Sequence, residues 1–200
     1  MPTVYRVLPD VSSHQYILED ASELDKRDFD GTPINRLNWR TPSTFYIANP
    51  RMPEPEFWGF SNLSIFAVPV DAAAKIVKFL DQSCQTLPIR VGRKHLLLCN
   101  VTYVVNALNK SRSRNERGLP HWITQYAFHA GRLDFSLFKI PQTALTEILC
   151  VEGLGDPEDD FKGTVERLGL TGLKFIKLWD SEEQASQPRR TRPKRRKETD

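Results

Sequence analysis

Cysteine is scarce and unpaired: Cys84, Cys99 and Cys150 are odd in number and lie 15 and 51 residues apart. That spacing suits neither a disulfide framework nor a paired zinc knuckle, so reduced, buried thiols are expected. Glycine is also sparse, with 10 residues in 200, which sets the chain apart from low-complexity and collagen-like sequences. The longest apolar runs are short ones such as Leu96–Cys99, far below the ~20 residues a membrane-spanning helix needs. The opening, MPTVYRVLPDV, has no basic segment followed by an apolar stretch, so neither a secretory leader nor a membrane is expected, and the location expected is the cytoplasm.

The strong catalytic signatures are missing as well. There is no G-x-x-x-x-G-K-[ST], H-E-x-x-H, C-x-x-C or G-x-S-x-G. The nearest glycine pattern, Gly153-Leu154-Gly155, puts Glu158 where a dinucleotide loop has its third glycine, among acids that would repel a pyrophosphate. Of the four histidines, His121 and His129 share a face if one strand carries both, but would then stand roughly 26 Å apart, too far to hold one metal. His95, beside Leu96–Leu98, reads as a hydrogen-bonded strand residue. A Cys99–His121 dyad would rest on residue types alone, since such partners meet only in space. The chain is therefore expected not to be an enzyme and to require no cofactor and no metal.

Charge is unevenly placed. The net charge is +3, yet Pro188–Lys197 alone carries seven of the 28 basic residues and no acid. Without residues 188–200 the chain has 21 basic against 23 acidic residues, so the body is close to neutral. Such a body has no global electrostatic reason to prefer nucleic acid or an anionic membrane. The tail residues Arg189, Arg190, Arg192, Lys194, Arg195, Arg196 and Lys197 would add salt-dependent affinity for nucleic acid, but no aromatic residue among them can stack on a base.

What remains reads as one α+β domain over residues 1–180, mainly an antiparallel sheet with two principal helices, followed by a disordered basic tail over 181–200. Thr3–Leu8 is a first strand, ended by Pro9-Asp10. The acidic stretch Glu19–Asp30 is a solvated loop. Thr41–Pro55, with four prolines, is loop or edge around a short strand Thr44–Ile47. Its Pro50 and Pro53 form a lone PxxP pair, weak evidence for an SH3 ligand. Asp71 caps a helix to about Gln82, with Ala73, Ile76, Val77 and Leu80 as its buried stripe. Leu87–Val91 and Lys94–Val101 pair around Gly92; Val104–Asn109 is a helical turn and Lys110–Pro120 a polar loop. Ile123–Phe128, Leu137–Ile140, Glu147–Val151 and Leu173–Leu178 are strands. Glu152–Asp160 is an acidic turn, and Asp160 caps a second helix that Gly169 ends.

From Phe57 to Trp179 the order of segments resembles immunity protein family 11 of bacterial polymorphic toxin systems. HLLLCNVTYVVNALNKSRS (His95–Ser113) is similar to the family's central block, and ITQYAFHAGRL (Ile123–Leu133) and FKIPQTALTEILCVE (Phe138–Glu152) to the strands that follow. FKGTVERLGLTGLKFIKLW (Phe161–Trp179) resembles its final helix, turn and strand. Asn106 and Asn109 depart from the Asp more often found there, the basic tail is foreign to the pattern, and residues 1–56 match loosely. The resemblance implies a binder that neutralises one cognate toxin, encoded nearby, by stoichiometric inhibition.

The toxin is expected at the acidic turn, through Glu152, Asp156, Glu158, Asp159 and Asp160, together with Arg112 and Arg114 of the 110–120 loop. The alternative reading of the turn is a solvated helix start, with Asp159 and Asp160 favoured by the helix dipole. An exposed Phe57-Trp58 pair is the next choice. Asn100 is as well placed to bridge backbone groups as to touch a toxin. The competing readings are a nucleic-acid-associated regulator that uses the tail, and a hydrolase or transferase joining Cys99 or a histidine to a carboxylate.

Overall fold

In the computed structural model the described residues are 1–19, 29–39, 45–60 and 65–186. The architecture is α+β, with the named strands pairing antiparallel throughout. Two four-stranded sheets form its middle. One contains β4 (Trp58–Gly59), β5 (Phe66–Pro69), β6 (Cys84–Val91) and β7 (Lys94–Val101), in the order β4-β5-β7-β6. The other combines β1 (Thr3–Pro9), β10 (Leu137–Phe138), β11 (Ile148–Glu152) and β12 (Leu173–Asp180), in the order β10-β11-β1-β12. Two hairpins lie outside them: β2 (Tyr16–Glu19) with β3 (Phe45–Ala48), and β8 (Arg114–Glu116) with β9 (Leu119–Gln125).

The apolar runs at 96–99 and 148–151 follow from burial on both faces of a strand, whose side chains alternate. In β7, Leu96 and Leu98 enter an outer cluster with Ile17, Phe29 and Trp58, whereas Cys99 and Val101 enter the layer between the sheets. In β11, Ile148 and Cys150 face that same layer, and Leu149 and Val151 face a third cluster with Phe128 and Trp179. Helices α1 (Val70–Lys75), α2 (Val77–Ser83) and α3 (Phe161–Arg167) fill the middle layer. Phe161 is its hub, meeting Phe57, Phe79 and Phe175 edge to face at 6.0, 5.5 and 6.3 Å. All three cysteines are free, and burial raises each thiol, that of Cys84 to about 12.

Several elements differ from their sequence signals. The first helix breaks at Ile76, where the adjacent β-branched Ile76 and Val77 weaken helical preference; Ile76 is buried while Val77 is half exposed. Pro69, not Asp71, stands at its N-cap, because β5 runs straight into the helix. Residues 104–109 are extended rather than helical. Their backbone bonds go to neighbouring segments, Val105 N to Lys139 O at 2.9 Å and Asn109 N to Ala127 O at 2.8 Å. Half of the expected 110–120 loop is the β8–β9 hairpin, and β9 ends at Gln125, so no continuous strand joins His121 to His129. Asp160 occupies the N-cap of α3, but its carboxylate accepts from Gly153 N, while Ser136 Oγ takes the Phe161 N–H at 2.7 Å. Residues Ser181–Ser186 form a short helix, α4, where disorder was expected. Most of the acidic loop (20–28), Pro42, Thr44 and the tail from 187 onward lie outside the described residues.

Three polar side chains, two of them buried, fasten residues 29–34 over the outer cluster. Lys139 Nζ donates to Phe29 O at 2.6 Å, Asn100 Nδ2 to Thr32 O at 3.1 Å, and Gln85 exchanges two bonds with the Ile34 backbone. Burial lowers the Lys139 ammonium to about 8, against the opposing influence of Cys84 and Asp30.

Two measurements test this account. Gly172 has φ +99°, and a Cβ there would meet the Phe57 carbonyl; Gly169 has φ +63° but opens on space. In denaturant titrations Gly169→Ala should cost about 1 kcal/mol, and Gly172→Ala about 3 kcal/mol or more; equal losses would remove the close approach from the account. For Lys139, the unfolded chain keeps its proton to near 10.5 whereas the folded chain releases it near 8. Stability therefore rises with pH across that window, by about 1 kcal/mol per unit, relative to Lys139→Met. A wild-type-minus-variant difference that stays flat from pH 7.5 to 9.5 would refute the buried ammonium.

Candidate docking site on the second hairpin

The sequence that builds this site is polar because it is exposed on nearly every side. From Arg114 to Trp122 each residue is exposed, and Ile123 alone in β9 is buried. The base of the hairpin is closed by Asn109, which accepts the Ser113 N–H at 2.9 Å, and by Ser113, whose Oγ accepts from Ala127 N at 3.0 Å. At the tip Asn115 Nδ2 donates to Pro120 O. β8 packs chiefly on β9, and β9 rests on the 3-10 turn Pro141–Thr143, where His121 Nδ1 lies 3.2 Å from Gln142 O.

Two open clefts flank this contact and share Pro120 and His121. One, of about 440 Å³, lies between Trp122, Leu119 and Ile123 on one side and Thr143–Glu147 on the other, with Arg6 in its wall. Its neighbour, of about 410 Å³, reaches Lys110, Asn115 and Gln142. Both fall in the size range of ligand or side-chain pockets. Trp122 is 66% exposed and Leu119 48%, so the mouth of the first cleft is apolar. Its opposite wall contains Ala144, which with the next residue, Leu145, forms a pair of left-handed residues that are not glycine (φ 51° and 60°). Such conformations cost of order 1 kcal/mol each and cluster at functional surfaces.

Three polar side chains around this cleft bind one another, while Arg6 Nε is buried without a hydrogen-bond partner among the described residues. Arg6 binds Glu147 Oε1 at 2.7 Å and donates to Tyr126 Oη at 2.9 Å, and Tyr126 donates to Glu147 Oε2 at 2.6 Å. Burial, together with the bond to Glu147, pushes the Tyr126 phenol well above its usual value despite Arg6. Both carboxylate oxygens are engaged, so this cluster is a structural clamp between β1, the end of β9 and the 141–147 turn. It presents no base poised for proton transfer.

The other expected site residues sit elsewhere. In the acidic turn, Glu152 pairs with Lys162 at 3.3 Å, Asp159 with Lys78, Asp156 caps the 3-10 turn by accepting from Glu158 N at 3.3 Å, and Asp160 is buried on Gly153. Glu158 is exposed. These contacts commit most of that charge to folding. Phe57 and Trp58, expected at the surface, are core residues at 0% and 1% exposure: Phe57 enters the inter-sheet layer, and Trp58 the outer cluster. Cys99 is sealed between the sheets while His121 is exposed on β9, so no dyad forms. Asn100 is buried, with Nδ2 donating to Thr32 O and Oδ1 without a hydrogen-bond partner among the described residues. Among the described residues no group of three or more His, Cys, Asp or Glu is placed to hold a metal, and no helix is long and apolar enough to cross a membrane. The tail arginines and lysines lie outside the described residues.

Arg112 and Arg114 do belong to this hairpin region, Arg112 before β8 and Arg114 at its start. Sequence reasoning missed Leu119, Trp122, Arg6, Tyr126 and Glu147 as neighbours. The one available signal was Trp122 itself, a large aromatic residue in an otherwise polar stretch.

No family model matches this chain, and comparison with curated proteins gives no match.

The clamp is open to measurement. Tyr126→Phe should lower unfolding free energy by about 1 kcal/mol, while Glu147→Ala, which leaves both Arg6 and Tyr126 without their acceptor, should lower it by about 2–3 kcal/mol. Urea titrations in which Glu147→Ala is the milder variant would show that the three groups do not act together.

Proposed function

We propose that this chain is an immunity-type binding protein that neutralises one toxin by forming a stoichiometric complex, with the β8–β9 hairpin and its clefts as the docking face. The observation that carries the reading is the hairpin itself. It offers Trp122, Leu119, Arg112 and Arg114 beside preformed concavities, and Trp and Arg are the residue types that most often anchor protein interfaces. The order of motifs between Phe57 and Trp179, which resembles an immunity family, supports the same function. A surface of roughly 800 Å² per partner is sufficient for a stable complex. The toxin is then one that acts in the cytoplasm, where this chain is proposed to reside.

The test is co-expression with the toxin domain encoded by an adjacent gene. Growth should be restored by the wild-type chain and lost again with Trp122→Ala. If the purified chain neither binds nor inhibits any neighbouring toxin, the proposal fails.

A further inference from the structure

The charges of the body are nearly balanced but not mixed. Residues 110–121 hold Lys110, Arg112, Arg114 and Arg117 against one acid, Glu116, and all five are exposed. Among the described residues, none of the ion pairs joins Lys110, Arg114 or Arg117 to a carboxylate. The acids of the 152–160 turn, by contrast, are largely engaged with Lys78, Lys162 and backbone donors. The cations lie on or just before the hairpin whose strand β9 gives Trp122 and Leu119 to the mouth of the 440 Å³ cleft; Lys110 lines the neighbouring cleft, and both oxygens of Glu147 are already bound by Arg6 and Tyr126.

From this arrangement we infer that the hairpin receives an acidic segment of a protein partner, with one large apolar or aromatic side chain seated in the 440 Å³ cleft beside Trp122 and flanking Asp or Glu residues facing Arg114 and Arg117. This deepens the docking reading above and rests on it only for the identity of the partner. Three features favour a peptide over a nucleic acid. The cleft mouth is aliphatic as well as aromatic, since Leu119 and Ile123 join Trp122. The hairpin has a single exposed indole rather than the series of stacking platforms on which successive bases lie. Glu147 lies in the cleft and Glu116 on its rim, where both oppose a phosphate backbone. The cations act as steering and register elements, and the seated side chain supplies the desolvated anchor.

The full-length chain would be panned against displayed random peptides of about 12 residues, a length that spans the hairpin and one cleft. Enriched peptides should carry Trp, Phe or Leu flanked by at least two acids. A synthetic copy should bind with an affinity that falls roughly tenfold in Trp122→Ala and roughly tenfold in the Arg114→Glu, Arg117→Glu double variant, and that falls as salt rises. All three positions are exposed, and unchanged melting temperatures would show that the variants are folded. No enrichment, a basic or neutral consensus, or binding indifferent to Trp122→Ala would overturn the inference. So would tighter binding of a single-stranded RNA of about 20 nucleotides with the same dependence on Trp122 and the arginines, which would make the face a nucleic-acid site. Peptide binding without rescue from any neighbouring toxin leaves this inference standing and removes the toxin reading; rescue that survives Trp122→Ala while no peptide enriches does the reverse.

Discussion

The two central sheets share a single apolar layer, and the rest of the molecule is arranged around keeping that layer closed. Phe161 occupies it from α3, with Phe57, Phe79 and Phe175 around its ring. Each buried ring removes enough apolar surface from water to contribute roughly 2–3 kcal/mol. The seam closes where backbone meets backbone. Phe57 N donates to Thr171 O at 2.9 Å, Asp10 N donates to Gly172 O at 2.8 Å, and Glu56 accepts from both the backbone and hydroxyl of Thr171. Because both inner faces are consumed by the shared layer, both outer faces need separate covers. Residues 29–39 with the β2–β3 hairpin cover one, and residues 103–133 cover the other. The β8–β9 hairpin is the part of the second cover that extends beyond the core, which is why nearly all of its side chains are exposed.

Legibility in the sequence follows this division. β1, the β6–β7 hairpin and β12 could be placed from the alternation or continuity of apolar residues, since buried strands impose those patterns, and Gly169 marked the end of α3 correctly. Ile76 misled because a helical stripe of buried residues persists through a break that only backbone angles reveal. Residues 104–109 have a helix-like composition, yet Ala107 and Leu108 are buried against neighbouring chain that supplies the hydrogen bonds. The β8–β9 hairpin has almost no buried face, hence no periodicity to read. Phe57 and Trp58 sit among prolines and looked like surface loop, but their burial is decided by Gly172 and the sheets, more than a hundred residues away in part. Arg112 and Arg114 were visible as charge in a polar stretch. Arg6 and Glu147 were not, because 141 residues of chain separate two groups that meet at 2.7 Å.

The same physical separation distinguishes the two charged regions. Acids near a helix start find backbone donors and lysines close by, so the 152–160 turn spends its charge internally. Arg114 and Arg117, on a two-stranded arm, make no ion pair among the described residues, which leaves their field directed outward. A nearly neutral body can thus present a locally cationic arm.

The placement of β1 has a consequence for how the chain is made. Thr3 faces Glu152 on one side and Asp180 on the other, so both strands that flank β1 are synthesised long after it. The β4–β7 sheet has all of its strands between Trp58 and Val101 and can close while the ribosome is still translating. The β1 sheet cannot close until its last strand has emerged, a delay on the order of ten seconds at ~5–20 residues per second. Until β11 emerges, Val4 and Val7, which end up buried on opposite faces of the strand, have no partner from their own sheet. The nascent chain is therefore obliged to hold β1 in waiting, and the clamp of Arg6 with Tyr126 and Glu147 can form only once the 141–147 turn has been made.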